Sequence, residues 1–114
     1  MIGIDIEKVE RFKEFNKTKL ERIFTKNELE YAFKYENPYT HIAGMWCAKE
    51  AFIKAVKDKT ISLKTIEILH VENGAPYIKI TPQLEKCLTK ENCLKIDISI
   101  SHTNEDAIAI VEIN

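Results

Sequence analysis

The sequence predicts an α+β domain, an antiparallel sheet with hairpins packed on a long central helix. Three observations carry this. Short alternating strands stand near both ends of the chain, and the helical segments are grouped between them. An Asn73-Gly74 pair joins two β-rich runs, which suits a hairpin and not the crossover of a parallel βαβ unit.

Each element has a local reason. "MIGIDI" alternates Ile2, Ile4 and Ile6 with Gly3 and Asp5, a short strand that presents Asp5 on the face away from the isoleucines. "EKVERFKEF" reads as helical. Thr25 is an N-cap with Glu28 three residues on, a capping box for a helix over "KNELEYAFKY" that Asn37-Pro38 ends. A long helix follows, roughly His41 to Lys57. "TIEILHV" and "YIKI" flank "ENGAP" as hairpin strands. Thr81-Pro82 supplies an N-cap and first-turn proline for a helix to about Glu91. "KIDISIS" places Ile96, Ile98 and Ile100 on one face and Asp97, Ser99 and Ser101 on the other. "HTNED" then turns the chain, and "AIAIVEI" returns.

The chain has 114 residues, which favours a single domain over 1–114 whose limited core would gain from association. A net charge of -1 argues against a nucleic-acid partner. There is no run of about 18 apolar residues, so no membrane span is expected. "MIGIDIEKVE" lacks the basic start and apolar core of a signal peptide. Cys47, Cys87 and Cys93 have no metal-ligand spacing, and they are expected to be free thiols in a reducing cytoplasm.

The stretch "MWCAKEAFIKA" raises the chemical question, because Lys49, Glu50 and Lys54 interrupt an apolar helix. At 100° per residue, Ile42, Met45, Trp46, Ile53 and Val56 form a stripe with Phe52 at its edge. Glu50 and Lys54 share a narrow strip with Ala43 and Cys47. Lys49 falls near the apolar stripe and is expected to snorkel out along its stem. On spacing alone, Glu50 and Lys54 are an exposed i, i+4 pair worth about 0.2–0.5 kcal/mol.

The rest of the chain changes the weighing. Asp5 closes the first strand, Glu7 follows it, and His102 ends a strand whose polar face carries Ser99 and Ser101. Taken singly, Asp5 would cap the next helix and His102 would be solvated. Taken together, the carboxylates make a hard oxygen site for Mg²⁺ with positions open to phosphate oxygens. Lys54 would neutralise those phosphates, and a Ser-His pair would hold another phosphate or a ribose.

Four blocks, "IGIDIEKVERF", "RIFTKNELEYA", "WCAKEAFIKA" and "IDISISHTNEDAIAIVEI", resemble in order and separation the 4′-phosphopantetheinyl transferases of the small holo-acyl-carrier-protein synthase type. The resemblance covers most of the chain and implies the 4′-phosphopantetheinyl transferase-like fold. It implies transfer of the phosphopantetheine arm of coenzyme A to a serine of apo-acyl carrier protein, releasing adenosine 3′,5′-bisphosphate, in the fatty acid biosynthesis of the cytoplasm. By position it implies Asp5 and Glu50 as Mg²⁺ ligands, with Glu7 as a third acid. Lys54 falls beside the pyrophosphate, so Glu50 and Lys54 are the candidate catalytic residues. His102, with Ser101 beside it, falls on the adenosine side of coenzyme A. Arg11 matches an arginine that docks the acidic carrier, within a base-rich first quarter that includes Lys8, Lys13, Lys17, Lys19, Arg22 and Lys26. The small members are homotrimers with sites between subunits. Either Glu50 or a water on the metal would take the serine proton.

Two segments depart from the family pattern. Met45 stands where a basic residue is usual, and "VKDKTISLKT" lacks the usual loop glycine. Lys57, Lys59 and Lys64 are candidates to replace phosphate contacts there, and spacing does not choose among them. Two other readings stay open. One is a non-catalytic coenzyme A- or nucleotide-binding module of the same fold. The other is a small metal-dependent phosphohydrolase that uses water and has no need of Arg11.

Overall fold

The computed structural model describes residues 1–90 and 95–114. Cys93 and the expected helix end at Glu91 lie outside them. Strand β1 (Ile2–Lys8) is followed by three short helices, α1 (Glu10–Lys13), α2 (Lys17–Ile23) and α3 (Lys26–Ala32). The long helix α4 (Pro38–Val56) comes next, then strands β2 (Ile68–His70) and β3 (Pro76–Ile78), helix α5 (Pro82–Lys90), and strands β4 (Ile96–His102) and β5 (Asp106–Ile113).

The predicted class holds, with an antiparallel β1-β5-β4 sheet lying against α4 and a separate β2-β3 hairpin. The hairpin turn uses Gly74 at φ 90°, a region open to glycine, and Asn73 Oδ1 accepts from the Ala75 N–H at 3.0 Å. The capping box forms as read: Thr25 accepts from the Glu28 N–H, and Glu28 accepts from the Thr25 N–H at 2.8 Å.

Several boundaries differ. The strand absorbs Glu7, because β1 pairs with β5 as far as Lys8 opposite Asp106. Only Glu10–Lys13 of the expected first helix is helical. Helix α2 was not expected, although Asn16 caps it by accepting from the Lys19 N–H at 2.8 Å. Helix α3 ends at Ala32, and Pro38 opens α4 instead of closing the helix before it. A proline suits a first helical turn, where its missing N–H would have had no intrahelical partner. His102 ends strand β4, as read.

The sheet's sidedness is the main thing periodicity left open. In β1 it is Gly3, Asp5 and Glu7 that face α4. Ile2, Ile4 and Ile6 point outward and are 62%, 53% and 63% exposed. Close approach of the helix backbone explains the choice. A Cβ on Gly3 would sit 1.9 Å from the carbonyl oxygen of Ala51, so only glycine fits beneath α4 there. In β4 and β5 the sides are conventional, with Ile98, Ile100, Ala107, Ala109, Val111 and Ile113 turned to the core.

Helix α4 is buried almost all round, as its composition requires. Its open strip is Trp46, Glu50, Ile53 and Lys54, while Ala43 and Cys47, expected on that strip, are fully buried. Lys49 does not snorkel. It is completely buried, and its ammonium donates to Glu28 Oε1 at 2.8 Å and to the carbonyls of Leu63 and Ile66 at 2.9 and 2.7 Å.

Candidate active site

Strand β1 and helix α4 bring the acidic residues together. Asp5 and Glu7 alternate onto the face of β1 that α4 covers, and Glu50 opens from α4 beside them. Lys54, one turn on, donates to Asp5 Oδ1 and to the Ile4 carbonyl, both at 3.0 Å. Glu7 Oε2 accepts from Arg11 Nη1 at 2.8 Å and from Trp46 Nε1 at 3.2 Å. The Arg11 guanidinium lies 4.8 Å from the Trp46 ring centre, so Arg11 and Trp46 hold Glu7 from two sides.

Electrostatics mark Glu50. Partial burial raises its carboxyl above the ordinary value. Asp5 and Glu7 raise it further, while Lys54 and Arg11 pull it down. Burial also pushes the Cys47 thiol up, with Asp5 beside it, which makes Cys47 an inert thiol under the site.

Among the described residues no three His, Cys, Asp or Glu side chains converge as a preformed metal cage. One atom nevertheless asks for a partner. Asp5 Oδ2 is buried with no hydrogen bond, the single such side-chain atom among the described residues. A buried carboxylate oxygen without a donor is costly, and a hard cation held with Glu50 would satisfy it. The donor set therefore fits Mg²⁺.

Beside Glu50 and Lys54 opens a cavity of about 640 Å³, which Lys57 and Lys59 also line. Lys64, the third candidate lysine, is elsewhere. It donates to the Glu21 carbonyl at 2.7 Å and borders a larger apolar groove of about 700 Å³ over α2 and α3.

Ser101 and His102 are not brought together. As successive strand residues they face opposite sides. Ser101 lies opposite Ile108 on the outer face, and His102 meets His41 at 5.3 Å between ring centres. His41 stacks on Tyr35 at 3.9 Å, and Tyr31 stacks on His70 at 3.7 Å. Burial holds His70 down at about 4 and lowers His41, so both are neutral at pH 7. Position 41 is about 13 Å along α4 from position 50, so the ring cluster and the carboxylates are separate places in one chain.

A sequence model of the 4′-phosphopantetheinyl transferase superfamily matches residues 1–111. The chain belongs to that superfamily. Within it, the chain is 39% identical to a holo-[acyl-carrier-protein] synthase of Thermodesulfovibrio yellowstonii, over 98% of this chain and 96% of the relative. It is 34% identical to fatty acid synthase subunit alpha of Schizosaccharomyces pombe over 96% of this chain, and there it spans 6% of the relative. A crystal structure of Helicobacter pylori holo-[acyl-carrier-protein] synthase in complex with coenzyme A is similar over the full length of both chains, with a TM-score of 0.84 and 31% identity.

In this transferase-family chain, sequence reasoning missed one support of the site carboxylates and one buried ion pair. Trp46 read as a core residue, yet its indole N–H fixes Glu7. Glu28 read as a capping residue only. It also accepts from the Ile68 N–H at 2.9 Å and pairs with Lys49, joining α3, α4 and β2 in the buried interior. No local pattern announces either contact, because the partners are 39 and 21 residues apart.

Proposed function

We propose that this chain transfers the 4′-phosphopantetheine arm of coenzyme A to a serine of apo-acyl carrier protein, giving holo-carrier and adenosine 3′,5′-bisphosphate. The observation that carries the reading is Lys54 paired with Asp5, whose Oδ2 is buried and unsatisfied, with Glu50 near enough for Asp5 to raise its carboxyl, in a chain of this superfamily. Residues 1–114 are read as one domain, supported by a single core shared by α4, α5 and the sheet.

Asp5 and Glu50, with Glu7 as third acid, would hold a Mg²⁺ ion, which supplies charge neutralisation at the diphosphate. Phosphoryl transfer needs positioning and charge compensation more than covalent help. Lys54 is half exposed and turns from Asp5 to a diphosphate oxygen when substrate enters. Either Glu50 or a water at the site would take the serine proton. The serine oxygen bonds to the β-phosphorus as the bond from that phosphorus to the leaving adenosine bisphosphate breaks. Product counting tests the reaction. One adenosine 3′,5′-bisphosphate should appear for each carrier modified, whereas nucleotide release with no modified carrier would make the protein a hydrolase.

Arg11 is read as a carrier-docking residue. Its guanidinium is partly exposed and already oriented by Glu7 and Trp46. Arg11→Gln keeps a donor for Glu7 and removes the charge. It is expected to raise the KM for carrier about tenfold and the KM for coenzyme A less than about twofold, with the difference shrinking at high salt. Equal effects on both substrates would contradict the docking role.

A homotrimer with shared sites belongs to the same reading. Ile2, Ile4 and Ile6 with Ile108 and Ile110 form an exposed apolar sheet face that association would cover. His102 would then reach coenzyme A from a neighbouring subunit. Glu50→Ala and His102→Ala chains, inactive alone, are expected to regain part of the activity when refolded together. A verified mixed oligomer without recovery would exclude sites shared in this way. A cytoplasmic setting is supported by the buried Cys47 thiol. No helix among the described residues is long and apolar enough to cross a membrane.

A further inference from the structure

Helix α4 ends on Lys57, with φ 59° and ψ 34°. Lys57 is the one non-glycine residue with positive φ among the described residues. Glycine is the usual choice at such a helix end, because a Cβ crowds the backbone in the left-handed region. The conformation is fixed, since the Lys57 N–H closes on the Ile53 carbonyl at 2.8 Å. The sequence thus spends backbone strain on a side chain where no side chain is needed to end the helix.

What that side chain does follows from its surroundings. Lys57 lines the cavity that also holds Glu50, Lys54 and Lys59. Three ammonium groups against one carboxylate leave the cavity wall net positive. Lys54 has Asp5 as a partner and Lys64 has the Glu21 carbonyl. The Lys57 ammonium has neither an ion pair nor a hydrogen bond with a described residue, and it is exposed to whatever enters. Like charges gathered at a strained helix end fit a wall built for an anion.

We infer that Lys57 is a substrate-binding residue, whose ammonium holds an anionic oxygen of the coenzyme A diphosphate one turn beyond Lys54. The inference rests on the transferase reading above. It assigns a role in the glycine-free loop to Lys57 and withholds one from Lys64.

Three variants separate charge from backbone. Lys57→Gly relieves the strain and removes the charge. Lys57→Asn removes the charge and tolerates the left-handed region. Lys57→Arg keeps the charge. The dissociation constant of coenzyme A, by calorimetry with Mg²⁺ present, and the thermal midpoint are read for each. Lys57→Gly is expected to melt about 4 °C higher than the natural protein and to bind coenzyme A about fivefold more weakly. Lys57→Asn should lose the same affinity, and Lys57→Arg should stay within about twofold. Unchanged affinity in Lys57→Gly would overturn the inference, and so would an equal loss in Lys57→Arg. A natural protein that bound no coenzyme A would overturn the transferase reading as well, so the two failures are distinct.

Discussion

Asp5→Asn and Glu50→Gln are each expected to lower carrier modification by at least about a hundredfold, with a melting midpoint at or above that of the natural protein. Both parts follow from one arrangement. Burial raises the Glu50 carboxyl, and Asp5 and Glu7 lie near enough to raise it further by repulsion. Asp5 Oδ2 adds the cost of a buried oxygen without a donor. Removing one charge relieves the free protein and deprives the reaction of a metal ligand, the usual opposition of stability and activity at such sites. Steady-state kinetics over a Mg²⁺ series and thermal melts measure the two quantities. Near-normal turnover at limiting Mg²⁺ in both variants would refute the assignment. A sharply lowered midpoint would mean that the pair is structural.

Lys49→Met is expected to cost about 3–5 kcal/mol, the range for breaking a buried ion pair from one side. It strands the Glu28 carboxylate in a fully buried place and leaves the Leu63 and Ile66 carbonyls without their donor. The pH dependence of the loss has a definite sign. Burial already raises Glu28, and Lys49 is the main group opposing that rise. Without Lys49 the folded carboxyl lies higher still. The variant should therefore be least handicapped at acidic pH and lose stability as pH rises through that value. Adding Glu28→Gln removes the stranded charge, keeps an oxygen to accept from the Ile68 N–H, and should restore much of the loss. Urea unfolding of the three proteins decides it. A loss in Lys49→Met below about 1 kcal/mol would contradict the account, and so would a double variant no more stable than the single one.

How far the sequence could be read depended on the range of the interactions. The capping box at Thr25 and Glu28, the Asn73-Gly74 turn and the alternation of β4 are set within a few residues, and each formed as read. The side on which β1 packs was not legible. Alternation defines two faces, and only the passage of α4 over Gly3 chooses between them. The same choice put Asp5 and Glu7 under the helix beside Glu50, and it turned the more hydrophobic face to the outside. Lys49 was misread because its partner lies on another helix. A lysine beside an apolar stripe has the same local signature whether it snorkels or pairs. Ser101 and His102 were adjacent in sequence and so read as a unit, whereas a strand sends neighbours to opposite faces. The carboxylates and Lys54 were legible as a set through the resemblance. The Trp46 hold on Glu7 and the buried Glu28–Lys49 pair were not, since neither contact leaves a trace in spacing.

The most direct test is the intact mass of an apo-acyl carrier protein after incubation with this protein, coenzyme A and Mg²⁺, read beside the same incubation with Glu50→Gln. The account requires a gain of one phosphopantetheine group on the carrier serine with the natural protein, and little or none with the variant. An unchanged carrier mass with the natural protein, or an equal gain with both, would contradict it.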